Sequence, residues 1–151
     1  MLKEFIKGNV KIVDSVANWE EALKIGAESL VRNGNIEERY IQLCKELNIS
    51  FDILRCLNDL KEKIISGACV DYVASRGEYL NGIILAEYLG VEFIDAAEII
   101  IFNKNGQLNE VETYNAVKTR LSKVEKAVIP GFYGATTDGK IKTFTRGGSD
   151  I

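Results

Sequence analysis

Ser75-Arg76-Gly77-Glu78-Tyr79-Leu80-Asn81-Gly82-Ile83-Ile84-Leu85-Ala86-Glu87-Tyr88-Leu89-Gly90, followed at once by Val91-Glu92-Phe93-Ile94, is the stretch that decides the fold. Leu80, Ile83, Ile84, Leu85, Tyr88 and Leu89 leave almost no polar side, so the spacing predicts a deeply buried helix over 75–89. Gly90 stops it, because glycine takes the left-handed cap conformation without strain. The short apolar run that follows reads as a strand. A buried helix feeding directly into a buried strand is the signature of helices layered on a sheet.

Working outward, the pattern holds on both sides. Upstream, Tyr40, Cys44 and Leu47 align along a helix over about 36–47. Ile53, Leu57, Leu60 and Ile64 align along another that starts after Ser50. Further upstream, Val10 to Val13 reads as a short strand. Asn18, with Glu21 three residues on, opens a helix that ends at Asn33-Gly34. Downstream, Glu98 to Phe102 and Lys126 to Ile129 read as strands, and 110–123 as a polar helix with Tyr114, Val117 and Leu121 facing in. Asp138-Gly139 is a hairpin turn feeding Ile141 to Thr145. The expected fold is an α/β sandwich with a largely parallel sheet.

Composition narrows the function classes. The 151 residues are 46% hydrophobic and 27% charged, with a formal net charge of −3. The acidic balance argues against a nucleic-acid surface. No apolar run is long enough for a membrane span. The N-terminus lacks a signal-peptide stretch, so a cytoplasmic location is expected. Cys44, Cys56 and Cys69 match no zinc spacing and there is no histidine. They read as reduced thiols on apolar helix faces. Gly134-Ala135-Thr136-Thr137-Asp138-Gly139-Lys140 begins like a phosphate-binding P-loop, but Ile141 stands where magnesium needs a hydroxyl, and a strand follows instead of a helix.

Two segments carry candidate chemistry. Ser75 and Glu78 have capping-box spacing, which would make Glu78 a helix cap. Thr145-Arg146-Gly147-Gly148-Ser149-Asp150-Ile151 has the make-up of an anion-handling loop, with a forked guanidinium and two glycines. Alone, Arg146 would be a solvated charge near the chain end. Together, a carboxylate and an arginine could hold a zwitterion, one taking an ammonium and the other a carboxylate. The chain stops where Ser149-Asp150 should open a helix, which leads to the expectation of a piece of a larger protein.

Four blocks then coincide with one family. Ser75 to Leu80, Phe93-Ile94-Asp95-Ala96, Val128-Ile129-Pro130-Gly131-Phe132-Tyr133-Gly134 and Lys142 to Asp150 resemble the aspartate kinases in order and spacing, over about 41–151. The resemblance implies the amino-acid kinase fold, an α/β/α sandwich. It also implies ATP-dependent phosphorylation of L-aspartate on its side-chain carboxylate, on the way to lysine, threonine and methionine. By resemblance Glu78 binds the substrate ammonium, Arg146 its α-carboxylate with help from Ser149, and Gly131 and Phe132 line the substrate side. Asp150 organises a phosphate-handling lysine. The family's opening Lys-Phe-Gly-Gly-Ser-Ser strand is not in these 151 residues, nor is its nucleotide-holding half. ATP and Mg2+, which serve the full-length family, are therefore expected to bind poorly, and the chain alone is expected to be inactive.

Residues 1–41, a helical segment, instead resemble the start of a sugar-phosphotransferase IIA domain, through Val16 to Ala22 and Leu30 to Ile41. That division gives a 1–41 segment joined to a 42–151 partial kinase domain, a possible chimera. Two alternatives remain open beside the kinase fragment: a non-catalytic binding module on the same scaffold, and a relic of the IIA phosphocarrier. The phosphocarrier reading lacks its histidine. A homodimer or a complementing kinase fragment is the expected partner.

Overall fold

The computed structural model describes residues 35–144. The strand expected at Val10 to Val13, the helix expected from Asn18, and Arg146, Ser149 and Asp150 lie outside them.

Among the described residues three helices come first: α1 (Asn35–Glu46), α2 (Ile53–Ile65) and α3 (Val70–Leu89). Asp52 caps α2 by accepting from the Arg55 N–H. Tyr40 and Cys44 from α1, Ile53, Leu57 and Leu60 from α2, and Leu80 and Ile84 from α3 close on one another as one buried cluster. Gly90 ends α3 in the left-handed conformation with φ 65°, as its position demanded.

Short strands and helices then alternate: β1 (Glu92–Phe93), α4 (Ala96–Ile99), β2 (Ile101–Phe102), α5 (Glu110–Leu121), β3 (Ala127–Val128), β4 (Tyr133–Thr136) and β5 (Ile141–Thr143). β1 pairs with β3 in parallel. β2 pairs with β4 in parallel, and β4 with β5 antiparallel across the Asp138-Gly139 turn. The described residues form a mixed α/β layer structure with two small sheets, and α3 lies against β1, β3 and β5.

Two glycines permit the close approaches that bring these layers together. A Cβ on Gly134 would stand 2.3 Å from the Ile100 carbonyl oxygen. One on Gly82 would stand 2.9 Å from the Phe93 ring. Glycine is the residue that lets α3 settle on β1, and β4 on the chain before β2.

Several expectations need correction. α3 begins at Val70, so Ser75 and Glu78 lie inside the helix and form no capping box. The sequence spacing mimicked a cap because Cys69, the real N-cap, is not a capping type and makes no side-chain cap bond. Cys69 is exposed rather than on an apolar face. Glu98 to Phe102 is not one strand: Asp95 accepts from the Ala97 N–H and starts the single turn of α4, leaving only Ile101-Phe102 extended. Tyr114 points outward, while Thr113 faces in and accepts the Ile101 N–H at 3.0 Å. Tyr88 and Leu89 are exposed, so α3 is buried along its middle and not at its C-terminal end.

Candidate functional site

The helix α3 and the loop before β4 build the candidate site together. Glu78 sits mid-helix on the less buried side of α3. It lines a cavity of about 200 Å³ with Asn81 and Gly82, with Leu43 of α1 and Leu47 just after it, and with Val128 to Gly131. Two residues singled out from sequence, Glu78 and Gly131, thus meet on one cavity although 53 positions apart.

The loop has a distinctive backbone. Phe132, next to Gly131, has φ 76°, a left-handed conformation that costs a non-glycine residue on the order of 1 kcal/mol or more. Tyr133, fully buried, locks the following residue, its hydroxyl donating to Asp95 Oδ1 at 2.7 Å. Burial, then that hydrogen bond, pushes the Tyr133 phenol far above its ordinary range. On the far side the Phe144 N–H donates to the Phe132 carbonyl at 2.8 Å.

The electrostatics around Glu78 come from its apolar neighbours. Loss of water there raises its carboxyl above the usual glutamate value. Tyr40, buried one helix away, has its phenol pushed up first by burial and then by the Glu78 charge. Its hydroxyl donates to Asn81 Oδ1 at 3.4 Å. A carboxylate on an apolar wall, with an amide one helical turn along, can bind a small cation such as an ammonium group.

Gly131 and Phe132 therefore stand next to each other on the loop, and Glu78 shares the cavity with Gly131. Arg146, Ser149 and Asp150 lie outside the described residues. Sequence reading missed Tyr40 and Asn81. Asn81 was legible as the i+3 neighbour of Glu78, whereas Tyr40 reaches the site only through helix packing.

No protein-family model matches the chain. In sequence it is 26% identical over 130 residues to aspartokinase 3 of Bacillus subtilis, covering 77% of this chain and 29% of that protein. In structure it matches the aspartate kinase of Clostridium acetobutylicum at 45% identity and a TM-score of 0.73, covering 94% of this chain and 30% of the other. Aspartokinase III of Escherichia coli, solved in complex with aspartate and ADP, matches at 20% identity and a TM-score of 0.59, over 89% of this chain and 36% of that one. The chain is thus similar to aspartate kinases in sequence and in structure over most of its length, and its fold is the α/β fold of those enzymes. It spans about a third of the length of these relatives.

Proposed function

We propose that these residues form the amino-acid-binding part of an aspartate kinase, a cytoplasmic enzyme that phosphorylates L-aspartate toward lysine, threonine and methionine. The observation that carries this reading is the meeting of Glu78 and Gly131 on one small cavity, in a chain 45% identical to an aspartate kinase. In this reading Glu78 takes the substrate ammonium as a partly desolvated ion pair, and the Gly131-Phe132 backbone lines the substrate beside it.

Arg146 completes the zwitterion site by taking the α-carboxylate, with Ser149 beside it. Phe144, bonded to Phe132, lies two positions before Arg146. Two residues of backbone reach roughly 7 Å, and the long arginine side chain extends that further. Asp150 is assigned to orienting a phosphate-handling lysine. That lysine belongs to a segment unlike any in these 151 residues.

Phosphoryl transfer rests on positioning and on neutralising phosphate charge. Among the described residues no group of three histidine, cysteine or carboxylate side chains converges as a metal site. No step is assigned to them through Mg2+. The domain division at 41–42, and pairing with a second copy or a complementing kinase fragment, belong to the same proposal.

Calorimetric titration of the 151-residue chain with L-aspartate tests the reading. Millimolar binding is expected, at least tenfold weaker in Glu78→Gln and in Arg146→Ala. In a coupled assay with ATP, magnesium and aspartate, the chain by itself is expected to show no turnover. Aspartate binding unchanged in Glu78→Gln would refute the site assignment. Turnover abolished by Arg146→Ala would refute the inactivity.

A further inference from the structure

A second, larger cavity of about 550 Å³ lies on the other side of α3, at its N-terminal half. Arg76, Tyr72 and Tyr79 of α3 line it, with Lys63 of α2, Asp59 and Asp95. Arg76 is 8% exposed, so its cation is held almost entirely away from bulk water. Its Nε and Nη2 both donate to the Ser75 hydroxyl, at 3.1 and 2.9 Å. The guanidinium lies over the faces of Tyr72 and Tyr79, each at 4.5 Å, and of Tyr133 at 5.2 Å.

Lys63 also lies over the Tyr72 ring, at 5.4 Å. Two cations thus share one tyrosine, and neither has a carboxylate within 4.0 Å among the described residues. Bringing two like charges to one ring is unfavourable unless an anion is present, and the tyrosine quadrupole offsets only part of a buried cation's lost hydration. Arg76 Nη1 has no hydrogen-bond partner among the described residues and is not sealed from solvent. The N-terminus of the 20-residue helix α3 opens on the same cavity through Cys69, which has no oxygen with which to cap it. Asp95 is already engaged by the Tyr133 hydroxyl and the Ala97 N–H. Asp59 is the opposing charge on the wall.

From this geometry we propose that the Arg76 cavity binds a phosphate group, either free or carried on a small molecule, at a site separate from the Glu78 cavity. Arg76 Nη1 and Lys63 Nζ supply the charged donors, and the tyrosine faces supply a dry, aromatic wall. The site does not depend on the aspartate kinase reading.

The test titrates the full chain with sodium phosphate against sodium chloride at matched ionic strength, following the Arg76 Nε–H resonance by NMR. A saturable shift is expected. It should weaken about fivefold in Lys63→Gln, the effect of one partly exposed charge contact, and strengthen about threefold in Asp59→Asn. Both positions are exposed, so these variants keep the fold, which circular dichroism checks. Phenyl phosphate binding more tightly than inorganic phosphate identifies an ester as the ligand, and equal binding identifies free phosphate. No saturable shift, or the same affinity in all three proteins, overturns the proposal.

Discussion

The two halves of α3 are held to the molecule by different physics. The C-terminal half presents Leu80, Gly82, Ile83, Ile84 and Ala86 to apolar neighbours and is fixed mainly by packing, with the long Tyr40–Asn81 hydrogen bond as its side-chain polar tie among the described residues. The N-terminal half is fixed by directional polar contacts. Asp71 accepts from Lys142 Nζ at 3.0 Å and from the Thr143 hydroxyl, Arg76 holds Ser75, and Tyr133 holds Asp95 beside them. Packing tolerates a change of pH and punishes a change of shape. Polar anchoring tolerates small changes of shape and punishes a change of charge. The candidate ligand cavities follow that division: Glu78 stands at the junction with the apolar half, and Arg76 in the polar half.

The contrast can be broken most forcefully at Ile84, which is 2% exposed in the three-helix cluster. Ile84→Ala should cost about 3–4 kcal/mol in urea unfolding, with little change between pH 5 and pH 8, because the loss is burial and a cavity. Gly82→Ala comes next, at about 2 kcal/mol, since its methyl would meet the Phe93 ring at 2.9 Å and push α3 off β1.

On the polar side, Tyr133→Phe should cost about 1.5 kcal/mol, the worth of a hydrogen bond to a charged acceptor. The change leaves packing intact, so thermal unfolding should stay cooperative. The smallest expected effect is Asp71→Asn, about 1 kcal/mol at pH 7, discounted for the partial exposure of the Asp71–Lys142 pair. Burial acts to raise the Asp71 carboxyl, but Thr143 and Lys142 outweigh it and hold the group below the usual aspartate range. A lowered folded-state value means that the stabilisation is present above the unfolded value, near 3.9, and is lost as pH falls through the folded one. The gap between wild type and Asp71→Asn should therefore close below about pH 4, whereas the Ile84→Ala gap measured alongside should not follow it.

Sequence reading captured the apolar half better than the polar half, for a physical reason. The periodicity of Leu80 to Leu89, the stop at Gly90 and the hairpin at Asp138-Gly139 are local signals, and the α/β architecture follows from them. The start of α3 was misread because Ser75 and Glu78 imitate a cap while Cys69, the actual boundary, carries no capping oxygen. The split of Glu98 to Phe102 depends on Asp95 bonding locally to Ala97, which apolar patterning does not reveal. Of the candidate site, Glu78, Gly131 and Phe132 were singled out through family resemblance, and Glu78 and Gly131 share one cavity. The tyrosine faces around Arg76 were half visible: Tyr72 and Tyr79 stand at helical spacing from it, but Tyr133 arrives only through the tertiary fold.

The central claim is that the Glu78 cavity is the amino-acid end of an aspartate kinase site. It is tested most directly by adding L-aspartate to the 15N-labelled chain and mapping which amide resonances move. The account predicts saturable shifts concentrated at Glu78, Asn81, Gly131 and Phe132. They should fade as pH falls, beginning at a higher pH than an ordinary glutamate would require, because the Glu78 carboxyl is raised and must be ionised to hold an ammonium. Shifts confined to the Arg76 cavity, or none around Glu78 at tens of millimolar aspartate, would contradict it.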